Sequence, residues 1–194
     1  MPAITPLDNL VAPWEWGSNI TSLAGLGGVG GGRHVLVVGT NHDSRCGRTA
    51  DAPTGCTQSG SAHVYVLASP GGAWAWNGTL KPLRVKAGAL CGDAVAIAGD
   101  LVVVGCSKDN SPSTAVDVDE ASEAGTSVGS AHVWRLDSAN ASASGREAYL
   151  KAFRAADNQE FGHTVAVAIN STYEVVAASA LWSTGTGAPY GNFN

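Results

Sequence analysis

The chain has 194 residues, of which 44% are hydrophobic and only 14% are charged, and its formal net charge at pH 7 is −5. This composition predicts a folded domain with an ordinary core and excludes global disorder. The negative charge argues against nucleic acid or an anionic membrane surface as a partner. No apolar run approaches the ~18 residues of a membrane-spanning helix.

The residue pattern favours β-strands throughout. Glycine contributes 25 residues, short runs of valine, isoleucine and alanine alternate with turn residues, and apolar spacing at 3.6 residues is scarce. We therefore expect an all-β protein with tight turns.

The N-terminal part shows three features. The first residues lack the basic start and apolar block of a signal peptide. Residues 23–33 are predicted to form a flexible glycine-rich loop. Residues 25–32 share only composition with a phosphate-binding loop, because no Lys-Ser or Lys-Thr pair follows, so nucleotide binding is not expected.

The clearest strand signal spans residues 91–107. Apolar and β-branched residues flank Gly99-Asp100 on both sides. A glycine-containing pair of this kind forms a two-residue hairpin turn, since glycine tolerates positive φ. The stretch therefore predicts a β-hairpin.

Parts of the sequence recur at a fixed spacing. Residues 60–67, Gly-Ser-Ala-His-Val-Tyr-Val-Leu, return as Gly-Ser-Ala-His-Val-Trp-Arg-Leu at residues 129–136, which is 69 residues later. Leu80-Lys81 returns as Leu150-Lys151, 70 residues later. A period near 70 with about four strand signals per unit is typical of propeller blades.

Each unit opens with a residue pair that ends in glycine. Phe161-Gly162 is an aromatic-glycine pair, and Trp16-Gly17 and Cys91-Gly92 are variants of it. Together with the later Gly-Ser-Ala-His-Val segments, this pattern resembles the FG-GAP repeat of integrin-α-type β-propellers over nearly the whole chain. Val38-Gly39-Thr40 and Val104-Gly105-Cys106 stand where that family has Val-Gly-Ala, and no proline follows either.

The resemblance implies an all-β fold of four-stranded antiparallel blades, in about two and a half repeats. Residues 1–15 would be the outer strand of a preceding blade, residues 16–90 and 91–160 two blade repeats, and residues 161–194 a partial third. Closed propellers have about 4–8 blades. We therefore expect a fragment of a longer chain, in preference to a propeller completed by other chains or a short open stack, with its strand edges covered by further blades or a neighbouring molecule.

Four cysteines, Cys46, Cys56, Cys91 and Cys106, allow three disulfide connectivities, among which the sequence does not choose. We favour the two local bridges, Cys46–Cys56 and Cys91–Cys106. The second needs a bulge, because the predicted turn places Cys106 opposite Asp93 and not opposite Cys91. No Cys-x-x-Cys motif exists, which argues against a zinc site.

Four N-glycosylation sequons begin at Asn19, Asn77, Asn140 and Asn170. All are predicted to lie in loops or at strand ends, and we expect glycans on Asn77 and Asn140, because each lies in a polar connection between predicted strands. Together with the cysteines, the sequons predict a secreted or cell-surface glycoprotein.

Calcium is the only cofactor to consider, and the case for it is weak. Integrin-type blades often carry a calcium loop between their first two strands, but here that position holds only Gly99-Asp100 in one unit and residues 170–172 in another. Asp117, Asp119 and Glu120 form a weak calcium candidate within the acidic loop at residues 108–128. The EF-type glycine is absent, since Ser122 stands there, so a solvated acidic loop is favoured.

Two residue classes suggest binding chemistry but favour packing. His63 and His132 occupy equivalent positions of the repeat, where a buried ring with a satisfied nitrogen is expected in preference to a two-histidine metal site. Trp14, Trp16, Trp74 and Trp76 are suited to stacking on sugar rings, yet aromatic residues of this kind more often pack between blades. No catalytic motif can be placed, so no catalytic residue is predicted.

The sequence therefore predicts a non-enzymatic extracellular segment that acts in adhesion, in assembly of a surface coat or filament, or in protein binding. The alternative is a carbohydrate-binding or enzyme-associated propeller that uses the tryptophans and the acidic loop.

Overall fold

The computed structural model describes residues 20–29, 33–49, 51–69 and 72–181. Within these ranges the chain forms strands and no helix, which confirms the all-β prediction. No helix long and apolar enough to cross a membrane occurs in these ranges. The strands are β1 (Ser22–Val29), β2 (Arg33–Thr40), β3 (Ser61–Leu67), β4 (Ala75–Leu80), β5 (Cys91–Ala98), β6 (Leu101–Cys106), β7 (Ser130–Leu136), β8 (Ala143–Leu150), β9 (Thr164–Ile169) and β10 (Glu174–Ser179).

The strands form three sheets. Two are four-stranded, with the orders β1-β2-β3-β4 and β5-β6-β7-β8, and the third is the pair β9-β10. Every paired strand runs antiparallel to its neighbour. Each four-stranded sheet is therefore a meander of strands that follow one another along the chain.

The prediction of a flexible loop at residues 23–33 is wrong for most of that segment. Residues 22–29 form β1, with Leu23 opposite Val38 and Leu26 opposite Val35. Glycine weakens a strand because it lacks a side chain to pack, but pairing with the apolar strand β2 compensates for this at a sheet edge. Tertiary pairing thus overrides the local preference of the glycines.

The predicted hairpin is confirmed as β5 and β6. Ala98 lies opposite Leu101, and Gly99, with a φ of 55°, begins the two-residue turn. The register shifts between Cys91 and Val95, which brings Cys91 directly opposite Cys106. The expected bulge is therefore present, and the structure contains both local disulfides, Cys46–Cys56 and Cys91–Cys106.

The sheets stack face to face through apolar side chains. One face of the first sheet meets one face of the second in a core that includes Val35, Val37, Ala62, Val64, Leu80, Val95, Ile97, Val102, Val104, Trp134 and Leu136. The opposite face of the second sheet meets β9 and β10 through Leu101, Val103, Ala131, Val133, Val165, Val167, Val176 and Ala178. The same interface thus occurs twice, built from repeat-equivalent positions.

Successive sheets are also joined through their backbones. Gly60 pairs in parallel with Cys91, and Gly129 pairs in the same way with Phe161. The Cys91 amide donates to the Ser59 carbonyl at 3.0 Å, and the Phe161 amide donates to the Val128 carbonyl at 2.9 Å. We call these two contacts the sheet junctions.

The junctions require glycine. A Cβ on Gly92 would overlap the Ser61 carbonyl oxygen, and a Cβ on Gly162 would overlap the equivalent oxygen of Ser130. Both glycines also have positive φ values, of 92° and 88°. The glycines that follow the unit-opening residues therefore permit backbone contact between sheets.

Substitution of Gly92 should separate steric overlap from backbone strain. Gly92→Ala is expected to lower the free energy of unfolding by about 3 kcal/mol, since it adds an overlap to the cost of a left-handed conformation. Gly88→Ala is the matched control, because Gly88 has a φ of 75° but open space around its Cα. Its cost should be about 1 kcal/mol. Denaturant unfolding measures both, and equal costs would show that the junction is not tightly packed.

Candidate functional site

The long connections gather at one end of the sheets. Because neighbouring strands are antiparallel, residues 41–60, 81–90, 107–129 and 151–163 all connect strands at the same end. The fully described connections at the other end are shorter, at residues 99–100, 137–142 and 170–173. We call these the long-loop end and the short-turn end. The long loops also bond to one another, as when the Leu90 amide donates to the Gln58 carbonyl at 3.1 Å.

A buried ion pair anchors the first long loop. Asp43 follows β2, and its carboxylate lies 3.2 Å from the ammonium group of Lys81, which follows β4. Lys81 also donates to the Gly60 carbonyl at 2.8 Å, and the Ser61 hydroxyl donates to the Asp43 carboxylate at 2.8 Å. The ammonium group of Lys81 thus links the first long loop to the end of the sheet and to a sheet junction. We call Asp43, Ser61, His63 and Lys81 the first anchor cluster.

Burial and charge shift the pKa values in this cluster. Burial raises the pKa of Asp43, but Lys81, Arg45 and the hydrogen bonds to the carboxylate outweigh it and hold the pKa below 3.8. Burial lowers the pKa of Lys81, opposed by Asp43. Burial also lowers the pKa of His63 to about 4, again opposed by Asp43. His63 is therefore neutral at physiological pH.

The second sheet carries an equivalent cluster, formed by Asp109, Lys86, Tyr149 and Lys151. Asp109 contacts the ammonium groups of Lys86 at 2.7 Å and Lys151 at 3.6 Å, and it accepts a hydrogen bond from the Tyr149 hydroxyl at 2.6 Å. Lys151 donates to the Gly129 carbonyl, as Lys81 does to Gly60. Burial lowers the pKa of Lys151 to about 8, opposed by Asp109. We call this set the second anchor cluster.

The first anchor cluster contains serine, histidine and aspartate, but its arrangement does not suit nucleophilic catalysis. The Ser61 hydroxyl lies beside both Asp43 and His63, at 2.8 and 3.1 Å, and the other nitrogen of His63 bonds to Thr79 at 3.1 Å. His63 is only 2% exposed and Ser61 is fully buried. A substrate has no access to the hydroxyl, so the cluster stabilises the fold.

The expectation for His63 is confirmed, since the ring is buried and both its nitrogens have partners. His132 is buried in the equivalent place, where its ring stacks 5.6 Å from that of Trp134. The sequence analysis did not predict that Asp43 pairs with Lys81 or that Asp109 pairs with Lys151. The recurrence of Leu-Lys at the end of each unit was the signal for them, because a buried lysine needs a carboxylate nearby.

The weak calcium candidate is not assembled by the fold. A carboxylate oxygen of Asp117 accepts from the Tyr149 amide at 2.7 Å, and Lys86 lies between the carboxylates of Asp109 and Glu123. Among the described residues, the only group of three candidate ligands whose ligand atoms lie within 4.8 Å of one another is Cys91, Cys106 and His132. Both of its sulfurs are engaged in the disulfide.

The tryptophans that the structure describes take part in packing. Trp74 and Trp76 are half-buried and pack against Leu36, Val38 and Tyr65 on the outer face of the first sheet. The sequence therefore anticipated their packing role. Trp14 and Trp16 lie outside the described residues.

The three sequons that the structure describes lie towards the short-turn end. Asn140 and Asn170 are exposed in the connections β7–β8 and β9–β10. Asn77 was expected in a connection, but it lies in β4, between Trp76 and Gly78 where the register with β3 shifts. Its side-chain amide donates to the Asn140 carbonyl at 3.0 Å. Asn19 lies outside the described residues, and glycan occupancy stays a prediction.

Apolar side chains stand exposed at the long-loop end. Leu83 is 72% exposed and Phe153 is 84% exposed. Beside Leu83 lies an open groove of about 510 Å³, lined by Cys46, Cys56, Leu83, Arg84, Val85, Lys86, Ala121 and Glu123. The open groove and the exposed apolar side chains therefore make the long-loop end the candidate binding face.

Comparison with protein-family models and with curated proteins found no match for this chain.

The buried histidine predicts acid sensitivity. His63 has a folded-state pKa of about 4 against 6.5 for the free side chain, so the unfolded chain binds its proton first as the pH falls. Stability is fully present above pH 6.5 and should fall by about 3 kcal/mol towards pH 4.

Unfolding by urea between pH 7 and pH 4 measures this dependence. His63→Gln, which keeps polar atoms near Ser61 and Thr79, should flatten the curve. His42→Gln, at an exposed position, should follow the wild type. A His63→Gln curve parallel to the wild type would assign the acid sensitivity to other groups.

Proposed function

We propose that this chain is an extracellular, non-enzymatic segment of an FG-GAP-type β-propeller, and that it binds a protein partner through its long-loop end. Adhesion, or assembly of a surface coat or filament, is the class of role that fits this arrangement. The observation that carries the proposal is that the long connections between the described strands gather, with exposed apolar side chains, at one end of a stack of repeated sheets.

The arrangement of the sheets supports the propeller. The first strands lie close together, because β5 contacts both β1 and β2, and β9 contacts both β5 and β6. The last strands of the two full sheets, β4 and β8, contact each other much less. Sheets that converge at their first strands and diverge at their last resemble blades around an axis.

The cysteines support an extracellular location. All four are paired, in the bridges Cys46–Cys56 and Cys91–Cys106. Disulfides persist mainly in oxidising compartments such as the cell exterior. The sequons at Asn140 and Asn170 lie away from the long-loop end, so glycans there would leave that end accessible.

The polar clusters support a binding role over catalysis. Most of the described ionisable groups whose pKa values are clearly shifted belong to the two anchor clusters, and the central residues of these clusters are buried and paired. Exposed loops on a rigid frame are where recognition is usually located. The alternative, carbohydrate binding through Trp74 and Trp76, is less favoured because both rings pack on the sheet.

Capture of a partner tests this proposal. The immobilised full chain is expected to retain a protein from an extracellular or cell-surface fraction of its source. The double variant Leu83→Ser/Phe153→Ser should weaken binding at least about tenfold, since exposed apolar anchors dominate such interfaces. Tyr173→Ser is the matched control, because Tyr173 is 67% exposed in a short turn.

Two results would contradict the proposed function. Binding to a glycan array that survives Leu83→Ser/Phe153→Ser, and is lost in Trp74→Ala/Trp76→Ala, would replace protein binding with carbohydrate recognition. Turnover of a substrate by the chain would contradict the non-enzymatic assignment.

A further inference from the structure

The two most exposed apolar residues of the described long-loop end, Leu83 and Phe153, belong to a repeated tetrapeptide. Lys81-Pro82-Leu83-Arg84 follows β4, and Lys151-Ala152-Phe153-Arg154 follows β8, which is 70 residues later. In both segments the first two residues are buried and the next two are exposed. The repeat therefore preserves an exposed apolar-arginine pair in two successive units.

The buried half of each tetrapeptide explains how the exposed half is held. Lys81 is bonded to Asp43 and to the Gly60 carbonyl, and Lys151 is bonded to Asp109 and to the Gly129 carbonyl. Each lysine side chain thus anchors the chain two residues before the exposed pair begins. The apolar side chain and the guanidinium group are presented from a rigid base, which lowers the entropy lost on binding.

Neither arginine of the two exposed pairs forms an ion pair with another described residue. In the part of the chain that the structure describes, the ion pairs involve other cations, and neither Arg84 nor Arg154 takes part in one. Other basic groups at this end, such as Lys86 and Lys108, are already paired with carboxylates. The two guanidinium groups therefore remain available for an anionic ligand.

We propose that Leu83-Arg84 and Phe153-Arg154 form an apolar-basic ridge that binds an extended segment of a partner protein containing acidic and apolar residues. The inference rests on the proposed function of the long-loop end and names the chemistry of its partner. Arginine forms bidentate bonds with carboxylates, while Leu83 and Phe153 favour apolar side chains. The same pair on two successive units suits a ligand that repeats its contacts along its length.

The apolar half of the ridge decides between ligand classes. A sulfated polysaccharide would match the arginines but would leave Leu83 and Phe153, at 72% and 84% exposure, without apolar partners. A protein segment with carboxylates beside leucine or phenylalanine satisfies both halves. Sulfated glycan is therefore an outcome that the experiment must distinguish.

The experiment uses the full chain as bait for a phage library of random 12-residue peptides. Selected peptides are expected to be enriched in aspartate or glutamate beside leucine, isoleucine or phenylalanine. Their affinity, measured by fluorescence anisotropy, should fall at least tenfold in Arg84→Glu/Arg154→Glu. Replacing the acidic residues of the peptide by lysine should restore binding to that variant. Arg33→Gln is the matched control, since Arg33 contacts the Ala139 carbonyl near the short-turn end.

Three results would overturn the inference. They are selected peptides without acidic residues, binding that is unchanged by Arg84→Glu/Arg154→Glu, and competition by heparin together with no peptide selection. Failure here is distinguishable from failure of the proposed function. If the captured partner is lost with Leu83→Ser/Phe153→Ser but kept with Arg84→Glu/Arg154→Glu, the long-loop end remains the binding face. The inference of an acidic ligand is then wrong.

Discussion

The rest of the structure depends on the close backbone contact between successive sheets. At Gly60 and Cys91 two segments of the chain approach so closely that a Cβ on Gly60 would overlap the backbone of Cys91. The Gly60 carbonyl also accepts from Lys81, which is paired with Asp43. One small region therefore joins a loop, the last strand of one sheet and the first strand of the next.

The second unit repeats this backbone contact and surrounds it with different polar groups. Thr79, which bonds to His63 in the first unit, is replaced by Tyr149, whose hydroxyl bonds instead to Asp109. Burial and the negative charge of Asp109 raise the pKa of Tyr149, so the hydroxyl stays a donor. Removing one member of a buried ion pair leaves an uncompensated charge, at a typical cost of 3–5 kcal/mol. The lysine-aspartate pairing is thus the constant part of both clusters.

The sequence predicts much of the fold because its signals are local or repeated. The hairpin at Gly99-Asp100 follows from turn chemistry, and the period near 70 residues follows from recurring segments. The strand β1 was missed, because its glycines indicate a loop and its partner β2 lies beyond them. The position of Asn77 was also missed, since a bulge in β4 cannot be read from the residues alone.

The candidate binding face was harder to predict than the sheets. Exposure of Leu83 and Phe153 depends on where the chain turns after Lys81 and Lys151, and a leucine or phenylalanine in a sequence is normally assigned to the core. The anchor clusters join residues such as Asp43 and Lys81 that are 38 positions apart. Only the recurrence of the Leu-Lys pair hinted at a shared role for the two lysines.

Native-state hydrogen exchange at the two sheet junctions tests the account most directly. If the junctions unite the sheets into one cooperative structure, the amides of Cys91 and Phe161 should exchange only through global unfolding, at the rate of interior amides such as that of Val103 in β6. Exchange of Cys91 and Phe161 by local opening, while Val103 stays protected, would show that the sheets are held by their apolar faces alone and would contradict the central role of the junctions.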